Sequence, residues 1–281
     1  MSSSTQTISA TVDIGNGVEI YYEERGTGMP LLFVHGMWAS CRFFHKQLAG
    51  LSSKYRVITL DLRGHGRSSM TMSGQTVPTY ARDVAAFVKK LNLHDFVAVG
   101  WSMGAFVWWD YHQQFGTGGV RALVVIDQPP SDWQSPEIPD ALLTFDALRS
   151  WHYRIQTERN ALMQEVIPMM FSKPPEPRDF QWMHDEMTRA PAVIAAAVMI
   201  DQSTREYQQA LEGYPVPTLV CGGGRSAQPR AGLELIVELV SNGRLTVFED
   251  CGHCLFLEDA ERFNAEVHNF VRAQLPDDLG D

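Results

Sequence analysis

Short apolar runs recur along this chain at residues 31–34, 56–60, 96–99, 122–126, 218–221 and 245–248, and few architectures accommodate such a pattern. A run of four or five residues without polar interruption reads as a strand buried on both faces. Helical spacing of apolar residues fills most of the intervals, at 41–51, 80–91, 103–114, 233–240 and 259–274. Strict alternation of strand and helix predicts an α/β fold with a mostly parallel, doubly wound sheet and right-handed crossovers. Ahead of it, alternating segments at 8–12 and 18–23 flank Gly15-Asn16-Gly17, a hairpin signal that predicts an antiparallel entry into the sheet.

After Asp127-Gln128-Pro129-Pro130 the alternation stops. Residues 131–210 carry helical spacing, many Met and aromatic residues and no strong strand. The expected organisation is one α/β core, residues 1–130 and 211–281, with a helical cap inserted at 131–210. A length of 281 residues suits a single large unit with an insertion as well as it suits two domains.

Charge narrows the partners. With 23 Lys and Arg against 33 Asp and Glu, the formal net charge is −10, which provides no cationic field for phosphates or anionic lipid headgroups. Neither nucleic acid nor a membrane is an expected partner, and no stretch approaches the ~18 uninterrupted apolar residues that span a bilayer. Four scattered cysteines do not make a disulfide scaffold. The polar start lacks the basic and apolar segments of a signal peptide, so the expected location is cytoplasmic, as a monomer or homodimer.

Gly100-Trp101-Ser102-Met103-Gly104 lies where a buried strand turns sharply into a helix. A serine there is held on a strained backbone with its hydroxyl above the sheet, and side chains in place of the glycines would collide with neighbouring elements. The plain alternative is an ordinary strand-to-helix turn. His253 falls in Asp250-Cys251-Gly252-His253-Cys254, just past the last strand, and is the strongest base candidate of nine histidines. His35 and His65 sit in strand-ending turns and read as structural. The C-x-x-C spacing of Cys251 and Cys254 is a weak metal or redox signal, because no second ligand pair accompanies it; neither a metal nor a cofactor is expected.

In order, the hairpin, the His35-Gly36-Met37-Trp38 loop, the Asp61-Leu62-Arg63-Gly64-His65-Gly66-Arg67-Ser68 turn, the Gly-Trp-Ser-Met-Gly elbow, the helical insertion and the late Gly-His resemble the α/β-hydrolase family over nearly the whole chain outside 131–210. Closer similarity is to its cofactor-free esterases, perhydrolases (non-heme haloperoxidases) and acyl-homoserine lactonases. The resemblance implies Ser102 as nucleophile, His253 as base, and the backbone amides of Met37 and Met103 as an oxyanion hole. It also exposes a departure. Most relatives carry an Asp after the penultimate strand, but here that strand ends Cys221-Gly222-Gly223-Gly224-Arg225-Ser226-Ala227-Gln228-Pro229, without a carboxylate. Some branches draw the acid from the preceding strand end, which singles out Asp127; Glu249 and Asp250 are weaker candidates, being too close in sequence to His253 to reach its far nitrogen easily. A turn-forming role for Asp127 ahead of Pro129 is the alternative.

Specificity is expected in the insertion. Trp133, Phe145, Leu148, Trp151, Tyr153, Met163, Met169, Met170, Phe171, Phe180, Trp182, Met183 and Met187, with Trp38 and Trp101 from the core, are candidate pocket residues, since Met repacks readily around different apolar groups; packing of the cap onto the core is the plain reading for each. The expectation is a serine hydrolase of small-molecule esters or lactones with a hydrophobic acyl part. Its rivals are a perhydrolase, a slow-turnover ligand sensor and, more remotely, a cofactor-free dioxygenase. A haloalkane dehalogenase is disfavoured because that chemistry needs a carboxylate at position 102.

Overall fold

The first two strands, β1 (Ile8–Asp13) and β2 (Glu19–Arg25), pair antiparallel around a turn in which Gly15, Asn16 and Gly17 all have positive φ. They lead into β3 (Pro30–Val34), β4 (Arg56–Leu60), β5 (Phe96–Trp101), β6 (Val120–Ile126), β7 (Thr218–Gly223) and β8 (Gly243–Phe248). All eight form one sheet in the order β1-β2-β4-β3-β5-β6-β7-β8, parallel from β4 onward. This computed structural model describes residues 6–274; the outermost parts of the expected core, 1–5 and 275–281, lie outside the described residues.

Eleven α-helices accompany the strands among the described residues: α1 (His45–Leu51), α2 (Val77–Lys90), α3 (Met103–Phe115), α4 (Phe145–Thr157), α5 (Arg159–Met169), α6 (Pro177–Thr188), α7 (Ala192–Ser203), α8 (Gln208–Leu211), α9 (Arg230–Leu239), α10 (Leu255–Glu258) and α11 (Ala260–Ala273). All six residues of β5 are buried because helices cover both faces. Successive side chains on a strand point to opposite faces, so Val97, Val99 and Trp101 enter one apolar cluster while Phe96 and Ala98 enter the other. Each fully buried Val, Leu or Ile contributes roughly 1.5–3 kcal/mol, which is why the run at 96–99 carries no polar residue.

Five helices, α4 to α8, lie between β6 and β7, with α4 packed on α7 and α5 on α6. The segment is not helical throughout. Residues after Pro130 run extended and form isolated bridges, Ser131 with Glu206 and Trp133 with Leu143, before Thr144 caps α4 by accepting from the Ala147 amide. The closing helix read at 259–274 is α11, capped by the Asp259 carboxylate at Arg262 N; the short α10 ahead of it was not read, and Asp259 (φ −124°, ψ 63°) separates the two. No described helix is long and apolar enough to cross a membrane.

Candidate active site

Strand register sets the candidate site. Trp101 of β5 lies opposite Ile126 of β6, which lies opposite Cys221 of β7, so the next residues along, Ser102 and Asp127, leave the sheet side by side while β7 runs on to Gly223. Two further bonds continue the ladder past the paired ends: Ser102 N donates to Ile126 O at 3.0 Å, and Asp127 N to Cys221 O at 2.9 Å. Both departing residues have positive φ, 54° at Ser102 and 52° at Asp127. Such backbones cost about 1–3 kcal/mol each and persist only where surrounding structure enforces them.

The elbow is enforced by close packing. A Cβ at Gly104 would stand 2.1 Å from Val34 O, and one at Gly100 would stand 2.6 Å from Ala105 N, so only glycine lets β5 and α3 meet at this angle beside β3. Gly36, after β3, is equally close to the serine: a Cβ there would stand 3.0 Å from Ser102 Cβ. That proximity brings the Met37 loop over Ser102. Met103 opens α3, where the first N–H groups have no intrahelical acceptor, and its side chain is buried in the core. The loop after β3 is tied down by Trp38, itself at φ 62°, whose indole donates to Ala195 O of α7 at 3.0 Å.

Asp127 is fully buried and His253 is 15% exposed, with His253 Nδ1 2.7 Å from Asp127 Oδ2. A carboxylate only accepts, so Nδ1 donates and the lone pair is left on Nε2. Two more donors hold the carboxylate: Gly223 N to Oδ1 at 2.9 Å and Ser226 Oγ to Oδ2 at 2.5 Å. The segment after β7 thus supplies a hydroxyl and an amide to a carboxylate supplied by the end of β6. Glu249 and Asp250 face outward, 71% and 96% exposed, near Arg230 and Arg225, which corrects their standing as candidate acids.

The His253 loop is fixed on three sides. Trp101 Nε1 donates to His253 O at 3.1 Å, and the indole packs against the imidazole with ring centres 5.4 Å apart. Cys254 N donates to Met170 O at 2.9 Å. Glu258 accepts from Gly252 N at 2.6 Å and from Ser172 N at 2.8 Å, clamping this loop to the end of α5. None of these clamps shows in sequence, since their partners are remote and unremarkable as types. Cys251 and Cys254 are free, buried thiols whose ionisation burial pushes up. No group of three potential metal ligands occurs among the described residues. His35 and His65 are structural: His35 Nε2 accepts from Leu62 N at 3.0 Å and its Nδ1 donates to Gly36 O at 2.8 Å, while burial lowers His65 to about 4.

Ser102 and His253 open onto one mainly apolar pocket, the kind of lining that small organic ligands favour. Met37, Trp38, Trp101, Trp151, Met169, Met170 and Met187 line it, as do Met199 and Leu143. Nine of the expected residues do not: Leu148, Met163 and Met183 are buried in the core and Phe171 and Phe180 pack against it, while Trp133, Trp182, Phe145 and Tyr153 are placed elsewhere. Trp133 is in an extended bridge next to Asp132, and since neighbours in an extended segment point oppositely, Asp132 faces the pocket and Trp133 turns into the surrounding packing. Trp182 lies a third of a helical turn from buried Met183, which rotates it outward under Arg42, 4.8 Å from the ring centre. Phe145 and Tyr153 are 71% and 61% exposed. Reasoning from sequence also missed a buried polar group on the pocket wall, Asp132 with Gln202, discussed below.

Residues 31–266 match the model of an α/β hydrolase family. Over 275 residues the chain is 31% identical to a non-heme haloperoxidase of Rhodococcus erythropolis, covering 93% of this chain and 99% of that protein. Among solved structures, an esterase from Exiguobacterium antarcticum superposes with a TM-score of 0.90 at 25% identity, covering 94% of this chain and all of the other. A bromoperoxidase from Bacillus anthracis gives 0.89 at 26% identity, covering 94% of this chain and 100% of its own. With its strand order, its elbow and this match across most of its length, the chain belongs to the α/β hydrolase family.

Proposed function

We propose that this protein is a serine hydrolase that cleaves carboxylic esters or lactones with a hydrophobic acyl part. The observation that carries the reading is the hydrogen bond from His253 Nδ1 to the buried Asp127 carboxylate, 2.7 Å, in a ring that shares an apolar pocket with Ser102. His253 Nε2 takes the Ser102 proton as Oγ attacks the carbonyl carbon, and Asp127 holds the ring and faces the imidazolium that forms. The Met37 and Met103 amides receive the developing oxyanion. Collapse of the tetrahedral intermediate expels the alkoxide, which takes the proton from His253 and leaves an acyl-Ser102 ester. His253 then draws a proton from water; the hydroxide adds to the acyl carbon, and the carboxylic acid leaves as Ser102 regains its proton. No cofactor enters the scheme.

The test is direct. A fluorophosphonate should label Ser102, read by mass spectrometry of the digest, and Ser102→Ala should hydrolyse p-nitrophenyl butyrate at least about 10³-fold more slowly than the wild type. Wild-type turnover by that variant would overturn the proposal.

The haloperoxidase and bromoperoxidase relatives favour a second reading of the same site. Hydrogen peroxide replaces water in deacylation, giving a peracid that oxidises halide outside the protein. Acetate-dependent bromination of a dye in peroxide, faster than ester hydrolysis under matched conditions, selects this reading; hydrolysis dominating selects the first.

A further inference from the structure

The pocket wall is apolar except for one buried cluster. Asp132 and Gln202 face the pocket and Gln128 lies behind them, with 5%, 5% and 0% exposure. Gln128 Nε2 donates to Asp132 Oδ1 at 2.9 Å, and Gln202 Nε2 to Oδ2 at 3.0 Å. With both amide nitrogens turned toward the carboxylate, both amide oxygens turn away from it. Gln128 Oε1 and Gln202 Oε1 are buried and accept no hydrogen bond among the described residues, and the same is true of Gln228 Oε1 on the pocket lining. Gln128 spends its second N–H on Pro129 O at 3.1 Å, so the cluster holds two unmet acceptor oxygens against one spare donor, the second N–H of Gln202. Buried acceptors left unmet are costly, whereas a ligand that brings a donor removes the cost.

Resting on the hydrolase reading, we infer that this pocket selects esters or lactones bearing a neutral hydrogen-bond donor, a hydroxyl or amide N–H, on their otherwise apolar part, with Gln202 and Asp132 as the specificity-determining pair. A neutral donor fits better than a cation. Burial pushes the Asp132 carboxyl up, against the pull of the two amides and of His253, and a fixed positive charge there would oppose the imidazolium that forms when His253 accepts a proton. The surrounding Met and Trp side chains accept the hydrocarbon that carries the donor.

Paired substrates test this. A series of p-nitrophenyl hexanoates with a hydroxyl at each of carbons 3 to 6 is compared with the matching methyl ethers, which keep the acceptor and lose the donor. The wild type should prefer the hydroxyl ester at one or more positions by about tenfold in kcat/KM, and Gln202→Leu should bring that ratio near one. Binding of the corresponding methyl esters to Ser102→Ala, followed through the fluorescence of Trp38, Trp101 and Trp151, should show the same preference in Kd without turnover. Equal Kd values across every hydroxyl and ether pair would overturn the inference while leaving the hydrolase reading intact. A clear Kd preference with no Ser102-dependent hydrolysis of any ester would uphold the subsite and overturn the hydrolase reading.

Discussion

The rim made by the ends of β5, β6 and β7 and the wall made by α4 to α7 face the same pocket, yet they are held by different means. On the rim, two residues stand at positive φ, backbone amides extend the ladder beyond the strands, and a buried carboxylate accepts three hydrogen bonds. Small displacements there break bonds that have no substitute in a dry site. On the wall, Met169, Met170, Met187 and Met199 contribute unbranched side chains with several rotamers of similar energy, which repack without breaking any directed contact. The contrast implies that the rim carries the chemistry and tolerates little, while the wall shapes preference and tolerates much.

The sharpest challenge to that contrast is Asp127→Asn. An amide at this position presents an N–H where Nδ1–H needs an acceptor, or it displaces the Ser226 and Gly223 donors, so the ring loses its tautomer or its orientation. Turnover of p-nitrophenyl butyrate should fall by about 10³–10⁴-fold, with KM changed by less than about threefold, since the wall that binds the acyl chain is untouched. Steady-state kinetics checks it. A loss below tenfold would mean that the buried bond is structural and that the rim is less exacting than its geometry implies.

Support beneath the rim adds a pH dependence of its own. His65 is buried and lowered to about 4 from 6.5, so between those values the unfolded chain takes up a proton that the folded chain refuses. A depressed histidine contributes stability that is complete above about 6.5 and is lost as pH falls toward about 4. The shift corresponds to at most about 3 kcal/mol. Asp61, raised by burial to about 6 from 3.8, works the other way over the same range, because its folded form takes up a proton first. The wild-type slope alone is therefore a mixture. Comparing the wild type with His65→Gln by urea unfolding isolates the term: the stability gap between them should narrow by up to about 3 kcal/mol from pH 7 to pH 4. A gap independent of pH would show that His65 is not held neutral.

What was legible in the sequence follows the same division. Unalternated runs such as residues 96–99 declare strands buried on both faces, because a polar residue on either face would be costly, and Gly100 and Gly104 are required by contacts that any elbow of this shape makes. Asp127 was legible by its place at a strand end beside one that lacked a carboxylate. The segment 221–229 was read as missing something; the structure shows that it gives Ser226 Oγ and Gly223 N to the carboxylate next door. A hydroxyl donor leaves no more trace in sequence than any surface serine. The wall was less legible, because helical spacing says which residues are apolar and not which side of a small helix meets the cavity: Met183 and Met187 lie one turn apart on α6 and both are buried, yet only the second lines the pocket. The Asp132 cluster was invisible for a further reason, since Gln202 reaches it from 70 positions away, at the end of an apolar helix with no local pattern to mark it.

Ser226→Ala probes the rim more gently. It removes one of three donors to Asp127 and leaves the His253 bond in place, so the carboxylate keeps its partner but loses part of its anchorage. A hydrogen bond to a charged group is worth about 1.5–3 kcal/mol, and only a fraction of that reaches the transition state, which gives an expected drop in kcat of about tenfold with KM unchanged. Ser226→Thr keeps the hydroxyl and should recover most of the loss. Equal activity in the alanine variant would assign Ser226 to loop folding alone, and the thermal midpoint of the two variants distinguishes that case.

The smallest expected effect is on the wall, and it is the one that most directly separates the two regions. Met187 is 2% exposed and lines the pocket. Replacement by Leu nearly conserves volume, which costs less than about 1.5 kcal/mol in a core, but it exchanges a linear, adaptable side chain for a branched one of fixed shape. For p-nitrophenyl acetate, too short to reach far along the wall, kcat/KM should change by less than about twofold, whereas the ratio of octanoate to butyrate hydrolysis should shift by about threefold. If acetate hydrolysis fell tenfold instead, the Met side chain would be positioning the reacting groups as strictly as Asp127 does, and flexibility of the wall could no longer explain why Met is concentrated there.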